Sequence, residues 1–126
     1  MAQQNVLEKA TVTAIGRFND AFKRQDIDAT MAAMTEDCVF ENTYPAPDGA
    51  RYEGEAAVRA AFVDFFHASP RAEFESEELF VAGNRGVMRW VYFWTNENNE
   101  RGHVRGVDIF LVREGKVAEK LAYVKG

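Results

Sequence analysis

The chain has 126 residues, 47% hydrophobic and 13% aromatic, enough for one globular domain with a core of its own. A formal net charge of −5 leaves no basic footprint for nucleic acid or for an anionic membrane surface. The only cysteine, Cys38, excludes an intramolecular disulfide and is compatible with a reducing cytoplasm. The opening stretch MAQQNVLEKA has no apolar run of signal-peptide type, and no stretch approaches transmembrane length. The expectation is a single domain over residues 1–126, cytoplasmic, without membrane or nucleic-acid partners.

A first helix is predicted from about residue 4 to 24, with Leu7, Thr11, Ala14, Ile15, Phe18 and Phe22 on one face. Gln25-Asp26 breaks it. A shorter helix follows with Asp26 or Asp28 as N-cap, burying Ile27, Met31 and Met34. Residues 37–43, DCVFENT, read as a strand with Cys38, Phe40 and Asn42 on one face and Val39, Glu41 and Thr43 on the other. Tyr44 to Glu53 reads as a loop, because Pro45, Pro47 and Asp48-Gly49 oppose regular structure. With Tyr44 and Tyr52 in it, this loop is either a pocket lid or an ordinary connection.

A third helix is predicted over about 54–69, with Val58, Ala61, Phe62, Phe65 and Phe66 as its buried stripe and Pro70 ending it. Strands are expected at about 71–82, 85–97, 103–113 and 116–125, with turns at Gly83-Asn84, Asn98-Asn99 and Glu114-Gly115. The acidic run Glu73, Glu75, Glu77 and Glu78 reads as a solvated strand edge. The order ααβαββββ predicts an α+β fold, with helices on one face of a curved, mainly antiparallel sheet.

Such a sheet should be polar on its far face, and here it is not. Met88, Trp90, Tyr92 and Trp94 alternate with the largely apolar set Val87, Arg89, Val91 and Phe93, and Phe110 and Val112 alternate with Val107, Ile109 and Leu111. Two apolar faces need two covers, so a second copy of the chain is the expected partner of the outer one.

One residue breaks the apolar pattern. Asp108 shares its strand face with Val104, Gly106, Phe110 and Val112, where a charge costs free energy unless it is paired or hydrogen-bonded. Helices laid across a strongly curved sheet leave a cone with an apolar interior, and face assignment converges Phe18, Phe40, Asn42, Trp90 and Asp108 there. Asp108 is then a catalytic acid/base, a ligand contact, or a structural group satisfied by Asn42, Trp90 or Tyr123. Phe110, Tyr44 and Tyr123 complete the candidate ligand-binding set. His103 falls on the opposite face, and His67 lies near the end of the third helix. Two separated histidines give no metal-ligand spacing. Lys120 and Lys125 read as surface charges, and Cys38 as an inert core residue. No phosphate loop or nucleophile elbow is present, so no cofactor or metal is expected.

The element order, the segment FNDAFKRQDIDATMAAMTEDCVFEN and the ending GVDIFLVREGKVAEKLAYVKG resemble the nuclear-transport-factor-2-like superfamily. Within it, the chain is most similar to SnoaL-like, ketosteroid-isomerase-like small proteins. The resemblance implies a cone-shaped α+β barrel with a deep pocket, packed as a homodimer through the sheet. The ketosteroid isomerases use a base carboxylate and an oxyanion hole of a tyrosine and a protonated aspartate. The oxyanion-hole aspartate falls on Asp108, in VDIF. The base falls on Asn42, in FEN, and the tyrosine on Phe18, in RFND. Asn42 takes up no proton as a carboxylate does and Phe18 has no hydroxyl, so that mechanism is disfavoured. The arginine–aspartate pair of limonene-epoxide-hydrolase-like relatives is missing as well, with Gly106 two residues before Asp108 and Arg105 on the other face. What the resemblance leaves is a SnoaL-like, cofactor-free isomerase or polyketide-cyclase type of proton transfer by Asp108 on a hydrophobic carbonyl compound. The alternative is a non-catalytic small-molecule-binding or protein-interaction homodimer of the same fold.

Overall fold

The computed structural model describes residues 2–126, with side chains described from Val6 onward. Helices α1 (Ala2–Lys23) and α2 (Ile27–Ala32) lead into strand β1 (Met34–Glu41) and a short β2 (Arg51–Glu53). Helix α3 (Glu55–Ala68) follows, then β3 (Glu73–Ala82), β4 (Arg85–Thr95), β5 (Arg101–Arg113) and β6 (Lys116–Val124). The fold is α+β. Its six strands form one curled, open sheet in the order β2-β1-β6-β5-β4-β3. All pairs are antiparallel except β1 with β6, which makes the sheet mixed.

Helix α1 lies inside the curl because Thr11, Ala14, Ile15, Phe18, Ala21 and Phe22 bury one continuous face. Leu7, expected on that face, is exposed. The Thr11 hydroxyl lies 2.8 Å from the Gly83 carbonyl and docks α1 on the β3–β4 turn. The helix ends where predicted, and Gln25 takes a left-handed φ of 56°. Asp26 then caps α2, its Oδ1 accepting the Ala29 N–H at 3.1 Å.

Two boundaries differ from expectation. Met34 opens β1 instead of closing α2, and the strand stops at Glu41, leaving Asn42 and Thr43 just beyond it. The segment expected to be all loop contains β2, which pairs with β1 in the register Phe40↔Tyr52 and stacks the two rings 5.8 Å apart. A three-residue edge strand is too short to leave a periodic signal.

Helix α3 closes the open side of the curl with Val58, Phe62 and Phe66 buried and Phe65 at the edge. The core is a ring cluster. Phe62 packs 4.7 Å from Phe40, 5.4 Å from Phe22 and 6.1 Å from Phe18, while Phe18 meets Phe110 edge-on at 5.9 Å. Each fully buried phenylalanine contributes roughly 1.5–3 kcal/mol relative to exposure.

Candidate active site: a charged pair in an aromatic cone

A cavity of about 160 Å³ opens between the curled sheet and the helices. Its walls are Phe22 of α1, Phe40 of β1, Phe65 of α3 and Phe74 of β3, with Trp90 and Tyr92 of β4. Strand β5 adds Val104 and Asp108, β6 adds Lys120, Ala122 and Val124, and Asn42 and Thr43 stand where β1 ends. Phe74 meets Trp90 edge-on at 5.7 Å and Tyr92 at 4.8 Å, so one wall is a continuous aromatic surface.

Gly106 shapes this wall. A Cβ there would lie 2.5 Å from two carbons of the Trp90 ring and would also strike the Tyr123 carbonyl. Only glycine lets the indole lie flat across β5. An alanine would force the indole or the neighbouring β6 backbone to shift.

Asp108 sits on this inner face, 6% exposed, but none of its expected partners holds it. The partner is Lys120, also 6% exposed, whose Nζ lies 3.4 Å from Asp108 Oδ2. The ammonium also lies over two rings, 4.7 Å from the centroid of Phe22 and 5.2 Å from that of Phe40. Lys120, expected at the surface, is thus the one lysine inside the cone.

The cause is a β-bulge. The Glu114-Gly115 turn pairs Arg113 with Lys116 and Val112 with Val117. A regular hairpin would continue with Leu111 opposite Ala118, which places Tyr123 inside and Lys120 outside. Instead Leu111 opposes Glu119, and Ala118 is the extra residue. Every side chain beyond it changes face. Phe110 pairs with Lys120 and Asp108 with Ala122, so Asp108 and Lys120 become diagonal neighbours on the inner face. Tyr123 points outward, 53% exposed.

The other predicted site residues divide accordingly. Phe40, Asn42, Trp90 and Asp108 line the cavity together. Phe18 and Phe110 lie beneath it, packed on each other with no exposure. Tyr44 is exposed on the loop after β1. The Asn42 amide oxygen accepts the backbone N–H of Thr43 at 2.7 Å, and Glu41, facing outward, pairs with Arg51 at 2.7 Å. His103 is exposed beside Phe93, and Cys38 is buried, its thiol pushed up to about 11 by desolvation. Sequence reasoning missed Phe22, Phe65, Phe74, Tyr92 and Lys120 as cavity walls. The first four were legible as apolar residues, but which of them face a void depends on packing.

Among the described residues, two buried polar atoms of the cavity walls have no hydrogen-bond partner, Asp108 Oδ1 and Trp90 Nε1. One is an acceptor and the other a donor, and each unpaired group costs roughly 1–3 kcal/mol. No group of three or more His, Cys, Asp or Glu side chains suited to a metal occurs among the described residues. No helix among them is long and apolar enough to cross a membrane.

A curled sheet wrapped on helices, with an acid at the bottom of an apolar cone, defines the class, and comparison with known proteins gives the family. The SnoaL-like domain matches residues 15–120, and the chain belongs to that family within the nuclear-transport-factor-2-like superfamily. It is 39% identical to a nuclear-transport-factor-2-like protein of Mesorhizobium loti, over 94% of this chain and 93% of that one, with a TM-score of 0.79. A candidate SnoaL-like polyketide cyclase of Jannaschia sp. CCS1 shares the fold at 19% identity and a TM-score of 0.81, over 94% of this chain and 88% of that one. TerC, crystallised with polyporic acid, does so at 16% identity and a TM-score of 0.78, over 92% and 91%. No curated protein matches the chain.

Proposed function

We propose that this protein binds a hydrophobic, carbonyl-bearing small molecule in the cone and moves a proton beside its carbonyl without a cofactor. The observation that carries the reading is the buried Asp108–Lys120 pair lining one apolar cavity, with one carboxylate oxygen left without a hydrogen-bond partner. Asp108 Oδ1 is the proton acceptor. The Trp90 Nε1–H is the donor for the carbonyl oxygen as negative charge develops there, inside a site where little water screens it. Lys120 holds the other carboxylate oxygen and orients Asp108.

The cavity volume sets the size of the ligand. A cavity of roughly 150 Å³ accepts a molecule the size of benzene, whereas drug-sized ligands fill roughly 300–1,000 Å³. At about 160 Å³, the site suits a compound of about one ring.

The same reading includes a homodimer through the outer sheet face. Leu121, Ile109, Val87 and Phe80 lie side by side across β6, β5, β4 and β3 and form an apolar row opposite the cone. Phe80 is 52% exposed in the single chain. A second copy covers such a row.

The test is exchange of the α-protons of cyclohexanone in heavy water, followed by NMR. Wild-type protein should accelerate exchange, and Asp108→Asn should reduce the acceleration about 10²–10⁴-fold. An Asp108→Asn rate equal to wild type sinks the assignment of the base. Wild-type exchange no faster than buffer, with cyclohexanone bound and recovered unaltered, makes the chain a binding protein instead.

A further inference from the structure

The proton-transfer reading leaves Lys120 as a holder of Asp108, but its surroundings suit a larger task. Its Nζ lies over the rings of Phe22 and Phe40, on the wall of a cavity that Asp108, Asn42, Thr43 and Tyr92 also line. A lysine amine held out of bulk water on a cavity wall is placed to add to a carbonyl once it has given up a proton. A carboxylate 3.4 Å away supplies the proton carrier that imine formation needs. The four other lysines, Lys9, Lys23, Lys116 and Lys125, are all exposed.

We infer that Lys120 forms a reversible iminium with small aldehydes and ketones of up to about one six-membered ring, a size set by the cavity. The inference rests on the proposed use of the same cone for carbonyl compounds. The lysine first gives one proton to Asp108 and becomes a neutral amine. Its nitrogen lone pair adds to the carbonyl carbon, a C–N bond forms, and the carbonyl π electrons move to oxygen, which takes the proton held by Asp108. The nitrogen then returns a proton to Asp108. The hydroxyl leaves as water with that proton, and the C=N bond closes. The ammonium and the carbonyl compound have become an iminium and one water, with Asp108 again ionised. The iminium is a stronger electron sink than the carbonyl, so Asp108 removes an α-proton to give an enamine. Reversal of the steps frees the lysine.

The experiment uses the full chain with cyclohexanone and sodium cyanoborohydride, which reduces an iminium to a stable secondary amine, and maps the adduct by peptide mass spectrometry. The expected result is a cyclohexyl adduct at Lys120 that forms faster than at Lys116 or Lys125, the exposed references on the same strand and just after it. Lys120→Arg keeps the charge beside Asp108 but forms no such adduct, and it should lose the α-proton exchange by about 10²-fold or more. Lys120→Met serves as a second variant, and thermal melts report whether each is folded. Labelling at Lys120 no faster than at Lys116 or Lys125 overturns the inference. So does exchange that survives in a folded Lys120→Arg. If that exchange is still lost in Asp108→Asn, the non-covalent reading stands while the iminium falls. If neither variant alters exchange, both fail.

Discussion

The two faces of the sheet carry the same kind of chemistry in opposite surroundings. Outside, Arg85 pairs with Glu119, Arg89 with Glu78 and Arg105 with Glu77, at 2.8–3.2 Å, with the side chains 28–53% exposed in the single chain. Inside, Lys120 pairs with Asp108 at 3.4 Å, and both side chains are less than a tenth exposed. The outer pairs form at little cost and contribute little, because water screens them. The inner pair loses hydration that its attraction roughly repays, so apolar residues of similar volume would serve the fold as well. Stability therefore does not account for the inner pair, which is what the proposed work on a bound carbonyl compound would explain.

The largest effect should come from breaking the inner pair on one side. Lys120→Met leaves Asp108 buried without its partner, and denaturant unfolding should show a loss of about 3–5 kcal/mol. The double variant Asp108→Leu with Lys120→Met should recover most of it. A double variant as unstable as the sum of the single losses would mean that the pair is structural after all, and the contrast between the faces would fail.

Cys38 measures the inner environment independently. Its thiol is held up to about 11 by burial, against 9.0 when unfolded. Both states are protonated below pH 9, so nothing is lost there. Between pH 9 and about 11 the unfolded chain ionises first, and stability should fall by about 2–3 kcal/mol more than in Cys38→Ala. Equal pH profiles for the two proteins would show that the interior tolerates charge better than the comparison requires.

The outer face should respond in assembly before it responds in stability. Ile109→Glu places a carboxylate in the apolar row, and sedimentation should show the dimer weakened by at least about tenfold, or about 1.4 kcal/mol. A wild-type chain that sediments as a monomer at micromolar concentration would remove the proposed cover from this face. The smallest effect belongs to the outer ion pairs. Arg85→Ala should change unfolding stability by less than about 1 kcal/mol, and a larger loss would show that the outer pairs are not freely solvated.

Much of this architecture was open to reading from the residues. The three helices follow from apolar spacing and the Asp26 cap, and the four long strands from alternation between turn residues. Asp108 stood out because the residues on either side of it along its face are apolar, a signal local to one strand. The segment carrying β2 was less readable, since its three residues are held by pairing with β1 and not by any pattern of their own.

Lys120 and Tyr123 show where local reading ends. The chain itself determined the hairpin, its two-residue turn and the alternation along β6. It did not determine which set of alternate residues faces inward, because one bulged residue, Ala118, reverses all that follow it. A bulge there lets Val117 and Ala118 both be buried while β6 also pairs with β1, in the register Phe40↔Lys120. That requirement comes from strands far apart in sequence. The acid of the site was therefore written in β5, but its lysine was placed inside the cone only when the sheet closed around the phenylalanine core.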